Sequence, residues 1–253
     1  MPERNAIEFK VWGRYALFTD PLTRIGGEKC SYHIPTYEAL KGIAKSIYWK
    51  PTLIWVVDEV RVMKRIRTQT KGTKPLNLGG VYPSARDPSK KSEEPINSLA
   101  IYTFLADVEY QVRGHFIWNE HHTDLEGDRV EGKHFAIARR MLERGGRQDI
   151  FLGTRDCQGY VEPCSFGDGL GHYDGAGELG FGLVFHGFDY PDETGERKLQ
   201  ARFWRPTMRD GCIRFERPEE CAVRKVVREM GAKRFGTPLN VRGVHAEAEE
   251  LGC

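Results

Sequence analysis

The chain has 253 residues, 40% hydrophobic and 29% charged, with a formal net charge of +2; this is ordinary globular composition and excludes a disordered or fibrous protein. No run of about 18 apolar residues is present, so no membrane helix is expected, and the opening MPERNAIEFK lacks the apolar stretch of a signal peptide. Six scattered cysteines without a CxxC pair point to reduced thiols, hence a cytoplasmic protein, and away from a disulfide framework or zinc knuckle.

The small net charge conceals an asymmetry. Residues 61–91 carry nine basic and one acidic side chain, residues 197–242 thirteen and five, and residues 92–196 eight and twenty. Two basic blocks on a nearly neutral chain indicate a localised face for a polyanion.

In chain order, residues 6–18 read as a long strand with Gly13 as a bulge. A Pro/Gly loop over 19–35 follows, and Thr36 opens a helix whose stripe is Tyr37, Leu40, Ile43, Ala44 and Ile47. Pro51 stops it. Residues 52–66 form a strand, 67–97 a basic loop-like insertion, and 99–118 another long strand, whole or broken at Gly114. Asp128 and Glu131 fit a capping box for a helix over 130–144, striped by Phe135, Ala138, Met141 and Leu142 and ended by Gly145-Gly146. RQDIFLGTRDCQGYV supplies one more strand. The order β-α-β-β-α-β is that of a ferredoxin-like (RRM-like) α+β domain over residues 1–161. Strands at 178–190, 197–206 and 211–216, with a turn at Arg209-Asp210-Gly211, make 162–221 a β-rich C-terminal extension. Residues 222–253 form a basic, then acidic, poorly ordered tail.

Two motifs mislead. Gly175–Gly180 matches GxGxxG, but no strand precedes it and no helix follows, so turn glycines are the reading. His121, His122, Asp124 and Asp128 offer metal-ligand chemistry, yet their spacing fits no standard zinc pattern; no metal and no cofactor are expected. GxSxG, HExxH and Walker loops are absent.

The informative constellation is Tyr48 with Lys133 and His134. A lysine and a histidine in the first turns of a helix oppose its dipole unless an anion is close, and phosphate suits such a place. The same field lowers the histidine pKa. In the ferredoxin-like arrangement the end of the first helix approaches the start of the second, so Tyr48 nears Lys133 and His134. A phenol, an ammonium and an imidazole around one phosphate suit RNA cleavage by its own 2′-hydroxyl.

The segments YALFTDPLTRIGGEK, PTYEALKGIAKSIYWKP, EGKHF and GGRQDIFLGTRDCQGYV resemble, from about residue 6 to about 220, the CRISPR-associated repeat-processing endoribonuclease of subtype I-C, the d-type (Dvulg) member of the fifth Cas family in the RAMP superfamily. The resemblance implies a ferredoxin-like domain with a β-rich extension. It implies metal-independent cutting of precursor CRISPR RNA at the 3′ base of the repeat hairpin, leaving 5′-hydroxyl and 2′,3′-cyclic phosphate ends. The protein would then stay on the crRNA 5′ handle within the type I-C Cascade complex, beside its backbone and large subunits, meeting target DNA through the complex and no membrane. Its catalytic residues fall on Tyr48, Lys133 and His134, with the acid and base roles open; a tyrosine of pKa about 10 is a poor base at neutral pH, so a neutral His134 is the better base and Lys133 the charge stabiliser. Candidate RNA contacts are Arg24, Gly26, Gly27 and Lys29 in the first loop, Arg67, Lys71 and Lys74 in the insertion, and Arg147. The competing expectations are a non-catalytic subunit that only caps the crRNA handle and a metal-dependent phosphodiesterase.

Overall fold

The computed structural model describes residues 4–24, 28–74, 99–232 and 243–252. Period-two alternation builds the first strand, β1 (Ile7–Ala16), in which Ile7, Phe9, Val11 and Gly13 are buried between half-buried neighbours. A one-turn helix α1 (Pro21–Arg24) and a two-residue strand β2 (Lys29–Cys30) precede α2 (Tyr37–Ile47). There Thr36 takes the N-cap position, its hydroxyl accepting from Ala39 N–H at 3.2 Å. Tyr37, Leu40, Lys41 and Ala44 recur at helical spacing and are buried with Ile43 and Ile47 against the sheet.

Strand β3 (Leu53–Val62), β4 (Thr68–Thr73) and the 19-residue β5 (Ala100–Trp118) come next. A 3-10 turn over Thr123–Asp128 leads into α3 (Glu131–Glu143), and β6 (Ile150–Phe151) with β7 (Gln158–Pro163) forms a hairpin. Then follow β8 (Glu178–Gly180), β9 (Val184–Asp189), the short α4 (Pro191–Thr194), β10 (Lys198–Trp204), β11 (Thr207–Arg209), β12 (Cys212–Arg214), β13 (Val223–Glu229) and α5 (Val244–Leu251).

The main sheet runs β6-β7-β1-β5-β3-β12-β11-β8, with β2 and β4 also pairing to β5. Its central stretch β7-β1-β5-β3 is antiparallel throughout, an order compatible with the ferredoxin-like arrangement read from the sequence. The protein is thus α+β, built on mostly antiparallel sheet with few helices. Strands of the 162–221 stretch divide. β8, β11 and β12 continue the main sheet through β3, whereas β9 and β10 form a second sheet with β13. The turn at Arg209-Asp210-Gly211 links β11 to β12 with left-handed φ of 47° at Asp210 and 82° at Gly211.

Three local expectations change. Gly13 is no bulge: the β1–β5 register passes through Gly13↔Val108. The residue is glycine because a Cβ there would lie 2.6 Å from Leu152 Cδ1 and 2.8 Å from Gln158 O. The irregularity sits in β5 at Asp107, whose φ of 54° is left-handed and whose carboxylate holds Lys64 and Arg67. Residues 68–73 of the 67–97 insertion are strand, not loop, because β-branched threonines pair with 100–105. Beyond residue 222, Val223–Glu229 is a strand and Val244–Leu251 a helix, so these parts of the tail are ordered. Residues 75–98 lie outside the described residues.

Candidate active site

Helix α2 ends where Tyr48 leaves helical geometry at φ −157° and ψ 133°, with its N–H still bonded to Ala44 O at 3.0 Å. The extended turn directs the phenol towards the start of α3. Trp55 Nε1 donates to Tyr48 O at 2.6 Å and fixes the turn. His134 sits in the first turn of α3, its N–H bonded to Val130 O at 3.1 Å. Its ring is walled by Tyr48, Phe116 and Trp118, with ring centroids 5.9, 6.2 and 5.5 Å away. Tyr48 and His134 are both fully enclosed, at 0% exposure.

The hydrogen bonds of His134 fix its tautomer. Nε2 lies 2.6 Å from the backbone oxygen of Asp128, which can only accept, so Nε2 carries the proton. Nδ1 then presents its lone pair to the Tyr48 hydroxyl, which donates at 2.9 Å. Burial pushes the His134 pKa below the ordinary histidine value; Asp128 opposes that shift, the Lys50 ammonium adds to it, and Glu247 opposes it. The imidazole is therefore neutral at pH 7, with burial rather than the helix N-terminus as the main cause.

The expected capping box is absent. Val130 is the N-cap of α3 and no side chain caps it. Asp128 ends the preceding 3-10 turn instead, and its carboxylate accepts from Thr52 Oγ1 at 2.9 Å and from Val244 N–H. Lys133 diverges from His134 because successive helical residues point about 100° apart. Its half-exposed ammonium meets Nδ1 of His245 on α5 rather than the Tyr48–His134 pair.

At the far end of α3, Gly145 and Gly146 adopt φ of 85° and 107°. Gly146 N–H bonds Met141 O and Gly145 N–H bonds Leu142 O, a Schellman ending. Arg147 N–H then docks on Ser46 O of α2 at 3.1 Å, which sets Arg147 beside the end of α2. The Arg147 guanidinium and the buried Lys50 ammonium both contact Glu247 of α5. An adjoining cleft of about 650 Å³ is lined by Trp49, Lys50, Asn119, His122, Arg147 and Tyr190, among others.

The remaining candidates lie elsewhere. Lys29 Nζ stands 4.8 Å from the Tyr102 ring centroid and Lys71 Nζ 3.0 Å from that of Tyr15, so both sit on the first half of β5. Arg67 Nη2 pairs with Asp107 at 2.9 Å, and Lys74 is exposed at the end of β4. Arg24 closes α1, and Gly26 and Gly27 lie outside the described residues. The candidates thus split between a cluster around Tyr48, His134 and Arg147 and a basic-aromatic surface at the opposite end of β5. Lys50 and the aromatic members Tyr15 and Tyr102 went unread in the sequence; for Lys50 the available signal was a basic residue two positions after Tyr48 in a proline-stopped turn. Among the described residues no three His, Cys, Asp or Glu side chains converge as a metal site. Gly175 and Gly177 are left-handed turn residues before strand β8, which removes the GxGxxG segment from consideration.

Comparison with known proteins places the chain among CRISPR-associated proteins. Two solved structures share 33% and 35% of its sequence, with TM-scores of 0.69 and 0.68, each covering 87% of this chain and 96% of the other. One is described as a CRISPR-associated protein, the other as a functionally uncharacterized protein of Streptococcus mutans. The model of the Cas5d family, described as CRISPR-associated protein (Cas_Cas5), matches residues 6–216. The chain belongs to this family. Relatives named CRISPR pre-crRNA endoribonuclease Cas5d are 28% identical in Mannheimia succiniciproducens over 60% of this chain and 69% of that protein, and 27% identical in Thermus thermophilus over 62% and 63%. No helix among the described residues is long and apolar enough to cross a membrane.

Proposed function

We propose that the protein is an endoribonuclease that cuts precursor CRISPR RNA at its repeat hairpin, as the relatives' name says of them. The observation that carries the reading is the Tyr48–His134 hydrogen bond inside an aromatic box, with Lys50 and Arg147 beside it and Lys133, on the same turn as His134, held by His245. A neutral imidazole whose only free lone pair faces a phenol is a proton acceptor for that phenol. The Tyr48 oxygen takes the proton of the RNA 2′-hydroxyl as its own proton passes to His134 Nδ1. The 2′ oxygen attacks the adjacent phosphate. A lysine ammonium neutralises the added phosphorane charge, and the departing 5′ oxygen is protonated from Lys133. This relay avoids asking the phenol to ionise at neutral pH before the proton is transferred. Products are a 2′,3′-cyclic phosphate and a 5′-hydroxyl, and these side chains supply the acid–base chemistry without a metal ion.

We further propose that the protein remains on the crRNA 5′ handle within a Cascade complex in the cytoplasm, meeting target DNA only through that complex. The basic-aromatic surface of Tyr15, Lys29, Lys71 and Tyr102 supports handle binding, because aromatic rings interleaved with cations suit unpaired bases and phosphates. The 1–161 and 162–221 division is kept as an organisational proposal, with residues from 222 onward as an appended segment.

Incubating the wild type and His134→Ala with a matching repeat hairpin tests the reading. Cutting by the wild type and its loss in the variant, at unchanged RNA affinity, is expected. Tight binding with no cutting by the wild type would leave a capping subunit.

A further inference from the structure

The Tyr48–His134 pair is closed to solvent, and α5 lies over the basic groups beside it. Val244 N–H donates to the carboxylate of Asp128, the residue whose carbonyl holds His134. His245 takes the Lys133 ammonium, and Leu251 O accepts from Arg140. Glu247, 5% exposed, sets one carboxylate oxygen against Arg147 and the other against Lys50. Lys50, Arg147 and Lys133, together with Arg140 further along α3, are therefore turned towards this helix.

Helix α5 is too short to stand by itself, although its Ala, Glu and Leu residues are good helix formers. It has eight residues, starts at Gly243 without a side-chain cap, and carries Glu249 and Glu250 near its C-terminus, where carboxylates oppose the dipole. Docking therefore supplies what its length lacks. The carboxylate is also an imperfect occupant. Lys50 meets Glu247 Oε2 as an ion pair, and that oxygen accepts no aligned hydrogen bond among the described residues. A phosphate, with more acceptor oxygens, would satisfy an ammonium and a guanidinium better.

We propose that Lys50 and Arg147 form the seat of an RNA phosphate beside Tyr48 and His134, that Glu247 of α5 occupies this seat in the free protein, and that α5 docking and RNA binding exclude one another. The inference rests on the reading that Tyr48 and His134 act on RNA. Glu247 is an internal surrogate for phosphate, and withdrawal of α5 frees Lys133 and opens the path to the buried pair.

The test uses full-length Glu247→Gln, Lys50→Gln and Arg147→Gln, each checked for fold by circular dichroism. Readouts are the dissociation constant for a repeat hairpin RNA at fixed salt and the single-turnover cleavage rate at subsaturating protein. Glu247→Gln is expected to bind RNA about tenfold more tightly and cut correspondingly faster, since the competent fraction rises. Lys50→Gln and Arg147→Gln also release α5, yet are expected to weaken binding about tenfold through the lost phosphate contact. If both instead behave like Glu247→Gln, they only hold the tail and the seat is overturned. Unchanged affinity in Glu247→Gln overturns the exclusion. If no protein cuts, the nuclease reading falls, and affinity alone decides: tighter binding by Glu247→Gln supports the phosphate seat and equal binding overturns it. In the wild type, hydrogen exchange over residues 243–252 must speed up when RNA binds; unchanged protection would contradict mutual exclusion.

Discussion

Tyr48→Phe separates catalysis from packing at the centre of the site. The phenyl ring fills the same space in the core, so no cavity forms. What disappears is one hydroxyl, the donor at 2.9 Å to His134 Nδ1. The imidazole nitrogen is left without a partner inside a closed aromatic box, while Nε2 keeps its bond to Asp128 O. Leaving a buried acceptor unsatisfied costs about 1–3 kcal/mol of stability. For a chain of this size that lowers Tm by roughly 2–12 °C. If the Tyr48 oxygen carries the 2′-hydroxyl proton, the cleavage rate falls far further, by about 10²- to 10⁴-fold, the range for a general acid–base group. Single-turnover cleavage at saturating protein, with thermal melts and an RNA affinity measurement, distinguishes the effects. The expected pattern is a modest loss of Tm, affinity within about twofold, and near-complete loss of cutting. A variant that melts earlier but cuts within about threefold of the wild type would refute the relay and make Tyr48 a packing residue.

Other perturbations report on the surrounding frame. His134 is held below the ordinary histidine pKa by burial, so the cleavage rate should stay flat from pH 8 down to about 6.5 and fall only below it; a fall centred above pH 7 would contradict a neutral buried base. His186, stacked on Tyr37 at 4.2 Å, is pushed down to about 3 by burial and then by Arg202. With a depressed folded pKa its stabilisation is complete above the unfolded value and declines as pH falls from about 6.5 towards 3, at up to about 1.4 kcal/mol per pH unit. His186→Gln should flatten that slope in urea titrations, and an unaltered slope would show that other groups set it. Glu193 bridges Lys41 and Lys45, joining α2 to α4; burial disfavours its charge, but the two lysines outweigh that and hold its pKa below the usual carboxylate range. Glu193→Gln strands the buried Lys41 charge and should destabilise by about 3–5 kcal/mol in chemical denaturation. Thr36→Ala removes the α2 N-cap and should cost about 1 kcal/mol by the same assay.

Much of this arrangement is legible in the sequence because it depends on short-range periodicity. The stripe of α2 and the alternation in β1 each declare a buried face, and the glycine pair declares the end of α3. The βαββαβ order then brings Tyr48 to His134 through chain crossing rules alone. What stayed hidden depends on partners far along the chain. Asp128 reads as a helix cap from its spacing to Glu131, yet its carboxylate serves Thr52 and Val244, 76 and 116 positions away. The strand at Thr68–Thr73 carries no apolar alternation, because it pairs at a largely exposed edge where threonine is enough. Lys50 went unread because its partner is Glu247, 197 positions further on, whose carboxylate meets its buried ammonium. The candidate RNA contacts read as one set, and β5 separates them because it runs for 19 residues.

The claim at the centre of this account is that protein side chains alone drive attack by the RNA 2′-hydroxyl. The direct measurement is cleavage in EDTA of two repeat hairpins that differ only by a 2′-deoxy nucleotide at the cut site. The account predicts that the ribose substrate is cut at its normal rate to a 2′,3′-cyclic phosphate, while the deoxy substrate binds equally well and stays intact. Loss of cutting in EDTA, or cleavage of the deoxy substrate, would contradict it.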